Sequence, residues 1–310
     1  MNAYIGVDLG GTKTEVAVLD AIGQFLFRHR RPTPSHDYQA ILHTISDLVK
    51  TALDHLGLAH TGAVGCGIPG CLDPDTYRVR GANTEVLNGQ PFQSDLQQLL
   101  QCQVPVQNDA NCLAVSEATD GAGQGSQVLF AAILGTGCGG GIALKGRAWK
   151  GRHAIAGEWG HNPLPWPTPE ELQAPPCWCG LVGCMETWIS ASGFASEHAR
   201  RYGGNLSAVE IIQAMREGDI HAQASFSLYV SRLGRGLAQV INFLDPDCIV
   251  LGGGMSNVDE IYFSVQAEIL RHAFSKTVQT PVLKAQHGDS SGVRGAAWLA
   301  RAVTQPSAAL

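Results

Sequence analysis

The chain has 310 residues, 45% of them hydrophobic and 15% charged, enough for one large or two medium globular domains. A formal net charge of -6 offers no basic field to neutralise phosphates, so no nucleic acid is expected as a partner. The start lacks a basic segment followed by a long apolar core, and no window approaches the roughly 18 apolar residues of a membrane span. No membrane partner is expected, the expected compartment is cytoplasmic, and the nine cysteines are expected as reduced thiols.

Residues 4–9 and 14–20 read as strands on either side of Gly10, Gly11, Thr12 and Lys13, a glycine-turned hairpin. Thr12 separates Gly11 from Lys13, and the following residues alternate as a strand, which excludes a Walker A loop. Adjacent glycines still let backbone N–H groups approach a phosphate, and Asp8 stands where it could hold a hydrated Mg2+; a plain hairpin turn is the alternative. After a break at Pro32 and Pro34, residues 38–56 carry apolar side chains at helical spacing. Residues 63–70 form a buried strand pattern, followed by a polar loop containing Asn83 and a helical stretch over 92–101. A short strand over 104–107 then ends at Asn108, Asp109, Ala110 and Asn111, ahead of a helix of small residues over 112–122. A carboxylate at a strand end, just before a helix, sits where open α/β sheets place their ligands. Helix capping would equally explain Asp109 or Asn111.

Residues 128–134 are a strong apolar strand, followed by Gly135, Thr136, Gly137 and more glycine, then a strand over 142–144. This repeats the opening plan and suggests two lobes built alike, facing one nucleotide, although each turn taken singly could be a flexible loop. Next come Glu158 and His161, then Cys177, Cys179 and Cys184 at C-x-C-x4-C spacing. Three thiolates and an imidazole form a closed tetrahedral set suited to structural Zn2+, and Gly180 and Gly183 allow the tight turns between them. Unrelated buried cysteines are the alternative. A metal there would fix Glu158, His161 and Glu186 in one rigid constellation. Prolines 163, 165, 167, 169, 175 and 176 stiffen the insertion between the histidine and the first cysteine. Helical patterns occupy 189–201, 208–216 and 222–244. A buried strand over 248–251 leads into Gly252, Gly253 and Gly254; a helix over 260–274, a strand over 282–285, a helix over 293–303 and a frayed tail over 304–310 close the chain.

With these residues in view, the sequence resembles the ROK family of bacterial sugar kinases, within the actin-like ATPase superfamily, over nearly its whole length. Asp8, Gly10, Gly11, Thr12 and Lys13 resemble the family's first phosphate motif, Gly135-Thr136-Gly137 the second, and Gly252-Gly253-Gly254 the adenosine-side motif. Glu158-x-Gly160-His161 and the string from Cys177 to Glu186 resemble its zinc and sugar signature. The segments at 108–114, 157–166 and 287–298 look closest to bacterial fructokinases (manno-fructokinases).

The resemblance implies an α/β, two-lobed actin-like ATPase (ribonuclease H-like) fold with a zinc-bearing insertion. It divides the chain into a small lobe over 1–117, with the C-terminal helix 293–310 packing back on it, and a large lobe over 118–292. Asp109 becomes the general base, with Asn83, Asn108, Glu158, His161 and Glu186 as sugar-hydroxyl partners. The implied substrates are a small sugar and ATP, with Mg2+ and a structural Zn2+; a homodimer is left open. The acceptor implied is D-fructose, with glucose, mannose and N-acetylglucosamine as alternatives and a non-catalytic sugar-sensing regulator as a further one. A DNA-binding regulator of this family would need a helix-turn-helix domain ahead of Asp8, where no room for it is expected.

Overall fold

The computed structural model describes residues 3–305, and the chain divides into two compact units. The first comprises the described parts of Met1–Ser126, Gly141–Ala156 and Gln286–Leu310. Its sheet is built on the hairpin β1 (Tyr4–Leu9) and β2 (Lys13–Leu19), whose register pairs Asp8 with Glu15 and Leu9 with Thr14. β3 (Phe25–Pro32) continues the sheet beyond β2, and on the other side β4 (Val64–Ile68) runs parallel to β1, giving the order β3-β2-β1-β4-β7 once β7 (Val106–Asn108) is added. A small two-stranded ribbon, β5 (Cys71–Leu72) with β6 (Val79–Arg80), follows β4.

β3 was not expected, because its largely exposed sequence FLFRHRRP lacks an apolar face. Its arginines explain it: Arg28 and Arg30 both donate through Nε to Glu15, a carboxylate otherwise buried in the neighbouring strand. An edge strand rich in such charges is well suited to ending a sheet.

α1 (Tyr38–Leu56) has the expected bounds, set by the Asp37 carboxylate accepting from the Ala40 amide at 3.0 Å and by Gly57 in the left-handed region at φ 66°. It buries Ile41, Leu42, Ile45, Leu48, Val49 and Ala52 in a core shared with β1, β2, β4 and α2 (Phe92–Leu100). α3 (Asp109–Asp120) begins three residues earlier than the 112 expected, because the Asn108 side chain accepts from the Asn111 amide at 2.9 Å. The capping role therefore belongs to Asn108 and leaves Asp109 in the first turn. The last helix, Ser291–Thr304, lies across β1 and β4 and against α3. Gly6 and Gly65 make that approach: a Cβ on either would overlap the helix backbone at Ala297 or Ala296. The expected boundary at 117/118 falls inside α3, and residues 141–156 return to the first unit. Of the expected tail, residues 306–310 lie outside those described.

The second unit comprises Gln127–Gly140 and Gly157–Ala285. β8 (Val128–Leu134) neighbours β9 (Cys138–Leu144) on one side and the parallel β11 (Cys248–Gly252) on the other, with β12 (Val282–Lys284) parallel beyond β11. β10 (Arg147–Ala148) pairs with the end of β9 that is counted with the first unit. β9 starts at Cys138 instead of Ile142, since its glycines are strand residues: a Cβ on Gly140 would meet Trp159 Cδ1 at 2.7 Å. The helices are α4 (Glu186–Ile189), α5 (Ala191–Tyr202), α6 (Ala208–Arg216), α7 (Ile220–Leu244) and α8 (Glu260–His272), which makes the C-terminal helix α9. α7 is the central one and packs against α4, α5, α6 and α8. Among the described residues, no helix is long and apolar enough to cross a membrane.

Candidate active site

In the first unit the hairpin turn is closed by the Gly10 amide donating to the Lys13 carbonyl at 3.0 Å, and Gly11, Thr12 and Lys13 are exposed. Asp8, near the end of β1, is enclosed by β4 and α9: added carbons at Gly67 and Gly292 would lie 3.4 Å from its Oδ1 and 2.6 Å from its Oδ2. Burial, then the negative charges of Asp109 and Glu15, push its carboxyl up to about 7, against the pull of Lys13 and Arg30. Asp8 and Asp109 are thus electrostatic neighbours, as a pair around a cation or a phosphate-bound cation would be.

Asp109 sits at the β7–α3 junction, with Oδ1 accepting from the Ala110 amide at 2.8 Å. Its side chain keeps an open face while protein encloses the rest. That enclosure raises its carboxyl above the ordinary range, and the Ala110 and its own backbone amides work in the opposite direction. A carboxylate so placed is competent to take a proton from an alcohol. Asn108 is half-buried beside it, its Oδ1 committed to the helix cap. Asn83 is exposed, in the loop whose next residue, Thr84, would lie 3.6 Å from a Cβ on Gly11.

In the second unit the β8–β9 turn mirrors the first, with the Gly135 amide donating to the Gly137 carbonyl at 3.0 Å. Three elements hold this turn. The Ala191 amide at the start of α5 donates to the Gly135 carbonyl at 2.8 Å. Gly253, at φ 81°, approaches the Leu134–Gly135 peptide so closely that a Cβ would meet the Gly135 nitrogen at 2.8 Å, which brings the 252–254 turn beside it. The Cys138 amide donates to Glu186 Oε2 at 2.8 Å, and a Cβ on Gly137 would lie 2.7 Å from that same oxygen. Thr136, Gly253 and Gly254 remain exposed, and Gly252 is buried at the end of β11.

Glu186 also accepts from Trp178 Nε1 at 2.6 Å through Oε1, so both oxygens are oriented yet keep lone pairs for further donors. His161 lies nearby on a short 3-10 turn, Trp159–His161, and Glu158 precedes it with an exposed side chain. His161, Cys177, Cys179 and Cys184 bring their ligand atoms within 4.8 Å of one another. His161 Nδ1 is 3.6 Å from Cys177 Sγ, and the Cys179 and Cys184 sulfurs are 3.6 Å apart. Bonds of about 2.3 Å at tetrahedral angles put sulfurs about 3.8 Å apart, so the spacing suits a single Zn2+. Gly180 at φ 91° and Gly183 at φ 80° make the turns between the thiols. Ligation through Nδ1 would leave Nε2 of His161 as a hydroxyl partner. A cavity of about 320 Å3 adjoins these groups, lined among others by Thr136, Trp178, Glu186, Ser192 and Arg200.

Trp178 and the buried charges Glu171, Glu197, Arg232 and Arg235 went unrecognised in the sequence. A signal was there for the arginines: two of them, three residues apart, stand on the otherwise apolar face of α7.

Two α/β units, each carrying a strand–glycine turn–strand unit, are the architecture of the actin-like ATPase class. The ROK family model matches residues 4–303, and the chain belongs to that family. It is a sugar kinase of that fold. It is 39% identical, over 96% of its own length and 98% of the relative's, to the N-acetyl-D-glucosamine kinase of Yersinia pseudotuberculosis. The ROK hexokinase of Thermus thermophilus superposes with a TM-score of 0.88 at 27% identity, covering 99% of this chain and 100% of that one. The ROK glucokinase of Streptomyces griseus, in complex with glucose and AMPPNP, superposes with a TM-score of 0.77 at 31% identity over 97% and 99% of the two chains. These relatives lend no support to D-fructose as the acceptor and favour the N-acetylglucosamine alternative instead.

Proposed function

We propose that the protein transfers the γ-phosphoryl group of ATP to the primary hydroxyl of N-acetyl-D-glucosamine. The observation that carries this reading is the similarity to an N-acetyl-D-glucosamine kinase along 96% of the chain. The primary hydroxyl is the least hindered acceptor on a hexose. An alcohol is too weak an acid to ionise first, so Asp109 accepts its proton as the phosphoryl group moves across. Asn83, Asn108, Glu158, His161 and Glu186 bind the remaining hydroxyls. Asp8 would hold Mg2+, which would neutralise phosphate charge, and the amides at Gly10–Lys13 and Gly135–Gly137 would receive the phosphates, with Gly252–Gly254 on the adenosine side. His161, Cys177, Cys179 and Cys184 would hold Zn2+, which would supply rigidity to the loop.

Glucose is the second reading, favoured by the 31% identity to the Streptomyces griseus glucokinase. The test is release of ADP with Mg2+, ATP and N-acetyl-D-glucosamine, followed by phosphorus and carbon NMR of the product. A phosphomonoester on the primary carbon is expected. No ADP above the sugar-free rate, or a phosphate on another carbon, would refute the reading.

A further inference from the structure

Between residues 162 and 185 the second unit has neither helix nor strand beyond two isolated bridges, yet this stretch carries all three cysteines of the proposed zinc set. Its ordering comes from scattered backbone hydrogen bonds and from buried side chains. Glu171, 4% exposed, stands at the centre. Arg232 Nε donates to its Oε1 at 2.7 Å, and Arg235 donates to both oxygens, Nη2 to Oε1 at 2.8 Å and Nη1 to Oε2 at 2.9 Å. The Thr168 amide adds a bond to Oε2 at 2.9 Å. Arg235 Nη1 also reaches the Pro165 and Trp166 carbonyls, at 3.1 and 2.6 Å.

The second arginine extends the network toward the sugar side. Arg232 is 2% exposed and donates from Nη2 to Glu197 Oε1 at 3.1 Å, while its guanidinium lies 4.3 Å from the ring centre of Trp188 on α4. Glu186 is the first residue of that helix. The insertion is in turn tied to the cysteine loop: the Leu164 amide donates to the Gly183 carbonyl at 3.1 Å, Gly183 to Pro175 at 3.0 Å, and Met185 to Asn162 at 2.9 Å. Two buried carboxylates thus face two buried guanidiniums on rigid α7, and one turn of α7 grips both the proline-rich insertion and α4.

We infer that Glu171, Arg232, Arg235 and Glu197 are positioning residues that hold the cysteine loop in its metal-binding geometry, so that this network, as well as the four ligands, governs how long zinc stays bound. An alternative view, in which the network only contributes general stability, makes a different prediction for zinc. The inference rests on the zinc reading given above.

The test is the rate of zinc transfer from the full-length protein to a chromophoric chelator, with metal content measured beforehand. Glu171→Gln keeps the shape but leaves two guanidiniums short of a counter-charge, and should release zinc about tenfold faster or more, within the range usual for groups that support metal ligands. Arg235→Lys keeps the charge, loses the fork, and should fall in between, which serves if Glu171→Gln does not fold. Leu48→Ala, in the core of the first unit, should lower Tm while leaving zinc release unchanged. Release from both network variants at the parental rate, or equal acceleration in Leu48→Ala, would overturn the positioning role alone. Purified parental protein without zinc would remove the metal assignment and this inference together.

Discussion

The Cys138 amide donates to Glu186 Oε2 at 2.8 Å, joining the second glycine turn to the helix that follows the cysteine loop. Because Trp178 Nε1 donates to the other oxygen at 2.6 Å, the side chain faces donors on both sides. Glu186→Gln would turn its NH2 toward one of them. With a hydrogen bond to a charged group contributing about 1.5–3 kcal/mol, kcat/KM for the sugar should fall roughly 10- to 100-fold. Steady-state kinetics on the purified variant check this, and an unchanged kcat/KM would remove Glu186 from the sugar site.

Asp109→Asn should preserve the fold, since the cap of α3 belongs to Asn108, and sugar affinity measured by calorimetry should change by no more than a few-fold. Turnover should drop by about 10^2-fold or more, the usual contribution of a positioned general base. Near-normal turnover would take the base role from Asp109.

Asp8 has a folded-state carboxyl raised to about 7, so it costs stability when ionised. That cost is absent below the ordinary carboxylate value, near 3.8, and reaches its full size as pH rises through about 7. Asp8→Asn should therefore raise Tm at pH 8 and leave it nearly unchanged at pH 4. Because only the ionised group attracts Mg2+, the apparent Mg2+ affinity of the parental enzyme should increase between pH 6 and pH 8, and the variant should lose that dependence. Differential scanning fluorimetry and Mg2+ titrations of the rate read the two effects; a lower Tm for the variant at pH 8 would contradict the sign.

Glu171 and Glu197 behave in the opposite sense. Burial alone would raise both carboxyls, but hydrogen bonds from Arg235 and Arg232 to the first, and from Arg200, Arg201 and Arg232 to the second, hold each at about 2. Their stabilisation is complete above the ordinary value of 4.5 and is lost as pH falls through about 2. Urea midpoints should fall steeply from pH 4.5 downward in the parental protein and less steeply in Glu171→Gln. At pH 7 that variant should be destabilised by about 3–5 kcal/mol, the cost of breaking a buried pair from one side. Parallel pH profiles would refute this assignment.

What was legible in the sequence is what sequence neighbours decide. The two glycine turns, the apolar face of α1, the cysteine spacing and Asp109 at a strand–helix junction each lie within a short window. What was not legible depends on partners far apart: Glu171 and Arg232 are separated by 61 residues, and neither segment names the other. β3 was hidden because its order comes from Glu15 on the adjacent strand instead of from an apolar face of its own. The early start of α3 turned on one side-chain bond, from the Asn111 amide to Asn108. The choice of hexose was beyond the sequence for a related reason. Discrimination arises when a wrong hydroxyl pattern leaves a buried polar group unpaired, and that depends on placements to within a fraction of an ångström.

The central claim, a kinase whose acceptor is N-acetyl-D-glucosamine, is tested most directly by kcat/KM measured under one condition for N-acetyl-D-glucosamine, glucose, mannose and D-fructose. A site that pairs its polar groups with the acetamido sugar should favour it over D-fructose by about 10^2-fold or more, since unpaired buried groups penalise the wrong sugar strongly. A preference for D-fructose, or equal values for all four, would contradict the account.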